Sequence, residues 1–267
     1  MSYTYSHVVL VGIDGAGIFF KNAKTPFIRK MFAEGAGTEK GLTVFPTESA
    51  QCWGTMLIGV MPEVHGLTMQ NITADKYTKR AEHPDIFSLI KKYRPEAKTG
   101  SFCHWNDINV GIVDGVEGVV TKRGQDEPLT EKACEYIKAE KPDFLFVHLD
   151  SVDDAGHGCG YNTEKYLKQL DIADGYAERI YNAVREAGIA DDTLFIVTTD
   201  HGGTGGSHGG WSDDEKYVFF VMTGKTVVKG ARADMNVISI PAIIAHALGI
   251  PADPLWQSSV PDGFFSE

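Results

Sequence analysis

Two short runs, DFLFVHL at 143–149 and TLFIVTT at 193–199, are apolar at nearly every position. A strand with one wet face alternates apolar and polar residues. A run without that alternation has to be covered on both faces, as in a mainly parallel sheet between helical layers. HVVLVGI at 7–13 has the same character, and strand-like runs at 41–45, 98–103, 115–120 and 217–224 extend the set. Between them lie stretches of helical periodicity: 25–35, with proline near its start and glycine at its end, then 85–93, 129–141, the long 163–188, and 239–249. The pattern predicts an α/β fold, a three-layer α/β/α sandwich around a largely parallel central sheet. The 267 residues suffice for one domain over 1–267 with no large cap insertion. The charged stretch 73–85 reads as a solvated surface excursion.

Charge narrows the partners. A net charge of -11 repels a nucleic-acid polymer or an anionic membrane over most of the surface, so neither is expected as the main partner. A small anionic substrate stays compatible where bound metal reverses the sign locally. No apolar run approaches the ~20 residues of a membrane helix. Residues 1–7 lack the basic, apolar and cleavage regions of a signal peptide, so a cytoplasmic location is expected. Cys52, Cys103, Cys134 and Cys159 are scattered and form no CxxC pair, as suits free thiols in a reducing compartment.

In open parallel sheets, ligands bind at the carboxyl ends of the strands. Here those ends carry unusual chemistry: Asp14 follows the first run, DSVDDAGHGCG follows 143–149, and DHGGTGGSHGG follows 193–199. Carboxylates mixed with imidazoles suit a divalent transition metal, and glycines let a loop fold tightly around it. Asp200 and His201 are adjacent, and His208 follows across a glycine-rich span. Neighbouring residues at a strand end point in different directions, so His201 and His208 need not share one ion. Asp153 and His157, four apart, can share one face of a helical turn, with Asp150 and Asp154 as competing carboxylates. Taken singly, each aspartate also suits a helix N-cap and each histidine a hydrogen-bonded loop. Together, at successive strand ends, they read as metal ligands.

TVFPTESAQCWGTMLIGVMPEVHG at 43–66 supplies a hydroxyl. Pro46 interrupts the chain, and Thr47 and Ser49 stand where an apolar helix begins. There Ser49 is either a cap or a nucleophile at a positive helix end, its hydroxyl activated by a dication.

The ordered set GIDGAG, FPTES with GVMPEVHG, DSVDDAGHG, and DHGG with a later histidine resembles the alkaline phosphatase superfamily, and within it the nucleotide pyrophosphatase/phosphodiesterase branch. The resemblance implies an alkaline phosphatase-like fold and two divalent ions, expected to be zinc, with manganese or iron as alternatives. It implies that Asp14, Ser49, Asp200 and His201 surround one ion and that Asp153, His157 and His208 hold the other, with Ser49 the nucleophile and the substrate a small phosphate ester. Where that branch has an asparagine three residues past the nucleophile, this chain has Cys52. A thiol is a weak donor, so Asn71, Trp105 and Asn106 join Cys52 as candidate substrate contacts. Trp53, Trp105, Tyr161 and Trp211 are candidates to flank an aromatic group.

The expected reaction is phosphodiester or pyrophosphate cleavage through a phosphoserine. A phosphomonoesterase and a non-catalytic metal-binding protein are the alternatives. A sulfatase would need proline and arginine in a CxPxR-type motif, which SAQCW lacks, and a phosphoglycerate mutase of the same superfamily would need room for a large inserted domain. Gly12, Gly15 and Gly17 give GxxGxG rather than the GxGxxG of a dinucleotide fold.

Overall fold

The computed structural model describes residues 4–73, 82–257 and 259–266, so most of the charged stretch 73–85 lies outside the described residues. Among the described residues, seven strands form the central sheet: β1 (His7–Ile13), β2 (Ala36–Leu42), β3 (Thr99–Cys103), β4 (Val119–Arg123), β5 (Phe144–Leu149), β6 (Thr193–Thr198) and β7 (Tyr217–Thr223), in the order β2-β7-β6-β1-β5-β3-β4. β1 pairs in parallel with both β5 and β6, and β3 in parallel with β5 and β4. β7 opposes β6 and β2.

The apolar runs are central strands, as their lack of alternation requires. Even-numbered β1 residues Val8 and Leu10 face one helical layer, made of α2 (Ser49–Ile58), α3 (Ile86–Tyr93) and α7 (Ile240–Leu248). Odd-numbered Val9 and Val11 face the other, made of α1 (Pro26–Glu34), α4 (Asp126–Glu140) and α6 (Glu164–Glu186). The short α5 (Ser151–Cys159) follows β5 directly and buries Val152 in the second layer. Two cores thus sandwich the sheet.

One strand differs from expectation. The run 41–45 is apolar, yet β2 occupies Ala36–Leu42, and Phe45 is exposed. β2 lies at the sheet edge, where Glu39 and Lys40 reach water, so its polar residues hid it from a hydrophobicity reading. Gly37 permits the pairing: a methyl group there would lie 2.1 Å from the Phe220 carbonyl oxygen of β7.

Two helix starts are capped from elsewhere in the chain. Thr25 makes no side-chain cap for α1; the Asp174 carboxylate of α6 accepts from the N–H groups of Phe27 (3.0 Å) and Ile28 (2.8 Å) instead. At the start of α5, Asp126 of α4 accepts from the N–H groups of Asp150 (3.0 Å) and Ser151 (3.2 Å). A carboxylate at a helix N-terminus satisfies orphan donors and complements the helix dipole. The second cap bears on the candidate site, because α5 carries Asp153 and His157.

Candidate active site

Because β1 lies between β5 and β6, the three aspartate-bearing strand ends meet at the carboxyl end of the sheet's centre. Asp14, Asp200 and His201, all buried, bring ligand atoms together as one group able to hold an ion, and Asp153, His157 and His208 form another. The rings of His201 and His208 stack with centroids 4.0 Å apart, so the two groups adjoin.

In the first group, Asp14 Oδ1 and Asp200 Oδ2 lie 3.4 and 3.3 Å from His201 Nε2. Among the described residues, neither oxygen accepts a hydrogen bond. The partner oxygens are occupied: Asp14 Oδ2 accepts from Trp53 Nε1 (2.8 Å) and lies 2.8 Å from His148 Nε2, while Asp200 Oδ1 accepts from the Gly15 N–H (3.1 Å). Ser49 opens α2 after Glu48, the N-cap residue, which makes no side-chain capping bond. Ser49 Oγ is 3.2 Å from His201 Nε2, so its hydroxyl faces the cluster rather than capping the helix. Thr47, the other cap candidate, donates to Gly210 O (3.0 Å) and accepts from Gly209 N–H (2.8 Å).

In the second group, one turn of α5 puts His157 Nε2 3.1 Å from Asp153 Oδ2, and His208 Nε2 lies 3.1 Å from His157 Nε2. The Tyr161 hydroxyl donates a short hydrogen bond to Asp153 Oδ1. Gly15 is obligatory between the groups, because its φ of 66° is left-handed and a methyl there would lie 2.3 Å from Asp153 Oδ1.

The donor set fits two cations. All three histidines turn Nδ1 to a backbone carbonyl: His201 to Gly202 (2.9 Å), His157 to Gly206 (3.0 Å) and His208 to Thr47 (2.7 Å). A carbonyl only accepts, so Nδ1 carries the proton and Nε2 faces inward, as metal-binding imidazoles require. Burial pushes the Asp14 and Asp200 carboxyls well above the usual range, with the charges of Asp200 and Asp153 adding to the rise at Asp14 and that of Asp153 adding to the rise at Asp200. Converging lone pairs and orphaned buried oxygens leave a deficit that a dication supplies. The Asp153 carboxyl behaves differently: burial opposes its ionisation, but the His157 hydrogen bond and the nearby histidines hold it below the usual range.

Asp150 and Asp154 stand outside the second group. Asp150 gathers either with Asp14 and His148 or with His104 and Asp154. The candidate substrate contacts fare differently. Cys52 is wholly buried, its sulfur receiving the Thr43 hydroxyl, so helical rotation points it into the core and it offers the site no donor. Asn71 spends its amide on its own loop, accepting from Thr68 N–H and donating to Gly66 O. Asn106 accepts from Asn109, and Trp105 packs against the first core. Trp53 and Tyr161 are buried donors to carboxylates, which corrects their reading as aromatic flanks. Trp211 is 43% exposed and meets the 61% exposed Phe45 edge-on, beside the Thr47 turn.

Sequence reasoning missed His148 and Asp126. A histidine inside the apolar run 143–149 was itself a signal, because a buried imidazole needs a partner.

Residues 8–237 match the family described as Type I phosphodiesterase / nucleotide pyrophosphatase. The chain is similar to GPI ethanolamine phosphate transferase 1 of Emericella nidulans, 23% identical over 249 residues that cover 85% of this chain and 26% of that protein. It is also similar to human ectonucleotide pyrophosphatase/phosphodiesterase family member 1, 23% identical over 234 residues, 81% of this chain and 25% of that protein. The chain therefore spans only about a quarter of either relative. Among solved structures, an inactive variant of murine ectonucleotide pyrophosphatase/phosphodiesterase 5 in complex with AMP superposes with a TM-score of 0.79 at 15% identity, covering 94% of this chain and 96% of that one. At that identity the likeness speaks for the fold, which is the three-layer sandwich expected.

Proposed function

Because the chain belongs to the type I phosphodiesterase / nucleotide pyrophosphatase family, we propose that it is a metal-dependent hydrolase that cleaves phosphodiester or pyrophosphate bonds through a phosphoserine on Ser49. One observation carries the reading: the unpartnered, buried oxygens of Asp14 and Asp200 converge on His201 Nε2, with the Ser49 hydroxyl 3.2 Å from the same nitrogen. Asp14, Asp200, His201 and Ser49 would hold one ion, and Asp153, His157 and His208 the other. Two dications bound there supply Lewis-acid stabilisation of the serine oxygen and of the charge that develops on the phosphoryl and leaving oxygens. Zinc suits the imidazoles, and manganese or iron suits the same donors.

Ser49 Oγ attacks phosphorus in line as the bond to the leaving oxygen breaks. Water then attacks the phosphoserine from the vacated side and restores the serine. The positive end of α2 faces the negative charge that builds up beside its first residue. Three carboxylates against two dications leave the site net positive, which offsets the chain's overall -11 for an anionic substrate.

The substrate class follows from what surrounds Ser49. Residues 43–66 and 199–212 contain neither lysine nor arginine, and Glu48 precedes the nucleophile. A monoester dianion would meet no lysine or arginine from these two segments, whereas a diester or pyrophosphate bond presents less charge at the attacked phosphorus and needs fewer cationic donors. The test is turnover of chromogenic diesters and monoesters, before and after chelation, alongside metal analysis. The expected result is diester-preferring activity that chelation removes and zinc restores, with Ser49→Ala inactive while still binding metal. Full activity of the Ser49→Ala variant rejects the nucleophile; bound metal with no turnover on either ester favours a binding protein instead.

A further inference from the structure

Each of the three carboxylates assigned to metal is held by one oxygen and turns the other inward, and the holding groups differ between the two clusters. Asp14 Oδ2 is engaged by Trp53 and His148, each at 2.8 Å, which leaves Oδ1 without a hydrogen bond among the described residues. Asp153 Oδ1 is engaged by the Tyr161 hydroxyl, which leaves Oδ2 facing His157 and His208. Asp200 Oδ1 is engaged by the Gly15 backbone. From this geometry we propose that Trp53 with His148, and Tyr161 separately, are positioning residues that fix Asp14 and Asp153 as one-oxygen ligands and set the affinity of each ion independently. The proposal rests on the two-ion reading above.

The packing around these groups is specific to the task. Trp53 is fully buried, its ring against Phe146 and edge-on to His148, with centroids 5.5 and 5.0 Å away. Its far edge occupies the space over Gly12, where a methyl group would lie 2.2 Å from the ring. Gly12 therefore admits the indole that reaches Asp14. His148 Nδ1 has no hydrogen-bond partner among the described residues, so the neutral imidazole carries its proton on Nε2 and donates to Asp14. Tyr161 fills a comparable niche, its ring 2.5 Å from where methyl groups on Gly156 and Gly203 would sit.

Choosing neutral donors has a chemical consequence. A lysine or arginine in these places would orient the carboxylate equally well but would add positive charge and compete with the cation. Indole, neutral imidazole and phenol constrain the ligand without displacing the ion. Loss of such outer partners lowers metal affinity by about 10–100-fold in other metal sites.

The experiment is calorimetric titration of metal-stripped protein with zinc, in a competing chelator, on the whole chain. Wild type should bind two equivalents, and His157→Ala, which removes a ligand of the second cluster, assigns them. Trp53→Phe and His148→Leu should weaken the first equivalent by about 10–100-fold and leave the second within about threefold, while Tyr161→Phe does the reverse. His148→Gln, which keeps an N–H donor, should recover part of the loss. If Trp53→Phe fails to fold, the His148→Leu and His148→Gln pair still decides the first cluster, with thermal melting of the metal-free proteins as the folding control. Equal weakening of both equivalents, or none in any variant, overturns the separate positioning roles while the two-ion site stands. Absence of zinc binding in wild type overturns both.

Discussion

Asp126→Asn tests whether the carboxylate at the start of α4 holds α5 in place. Asp126 Oδ1 accepts from Asp150 N–H at 3.0 Å and pairs with His104 Nδ1 at 2.8 Å, and Oδ2 accepts from Ser151 N–H at 3.2 Å. The asparagine keeps one oxygen. Its best orientation preserves the Oδ1 contacts and sets an NH2 group against the Ser151 N–H, donor to donor. The residue is buried, so water cannot repair the mismatch. Hydrogen bonds to a charged group contribute about 1.5–3 kcal/mol each, and a partly exposed His104 lowers its share, so the expected loss of stability is about 2–4 kcal/mol.

The pH dependence sharpens the test. Burial works against ionisation of Asp126, yet the His104 hydrogen bond and the α5 N–H groups prevail and hold its carboxyl below the usual range. That contribution is fully present above the unfolded value of about 3.9 and is lost as pH falls through the lower folded value. The Asp126 hydrogen bond raises His104, against the effect of burial. Its contribution is fully present below the unfolded value of about 6.5 and is lost as pH rises through the higher folded value. The wild-type advantage over the variant is therefore greatest between about pH 4 and 6.5 and shrinks on both sides. Urea unfolding of both proteins across a pH series measures it. A variant within about 0.5 kcal/mol of wild type near pH 5.5, or a difference that does not change with pH, refutes the cap.

Further predictions follow from the same geometry. Gly15→Ala combines a left-handed φ with a clash into Asp153, so it should lower the melting temperature and weaken zinc binding together, as melting curves with and without zinc will reveal. Asp174→Ala removes the acceptor for Phe27 and Ile28 N–H and should cost about 1–2 kcal/mol in urea unfolding without changing zinc affinity. A thiol reagent should label Cys134 and Cys159 in the native protein and reach the buried Cys52 and Cys103 only after denaturation, which mass spectrometry resolves by site. Trp211→Ala should raise KM for an aryl diester by several-fold, roughly the worth of one aromatic contact, and leave an alkyl diester unaffected.

The legible parts of the molecule are those that local pattern determines. Uninterrupted apolar runs identified β1, β5 and β6 as central strands, and the rule that places ligands at strand ends drew attention to the aspartates in the loops that follow them. Asp153 and His157 were readable as a pair because helical spacing alone brings them together. What escaped depends on partners far away in the chain: Trp53 and His148 reach Asp14 from 39 and 134 positions distant, and Asp126 reaches Asp150 across 24. Tyr161 was visible only as an aromatic, because nothing in its neighbourhood says that its hydroxyl finds Asp153. The direction of Cys52 was likewise hidden, since a register within α2 decides whether it faces the site or the core. β2 was displaced because an edge strand needs little hydrophobicity of its own.

The position of β1 between β5 and β6 also bears on how the protein assembles. Val8 pairs with Phe144 on one side and with Leu194 on the other, so closing the middle of the sheet joins segments from the start and the latter half of the chain. Such long loops close late and slowly. The proposed ligands at positions 14, 153 and 200 come within reach of one another only after that closure, so an ion would find no complete cage to organise in the unfolded chain. Metal is therefore expected to act as a latch rather than a seed, slowing unfolding while leaving the rate of folding nearly unchanged.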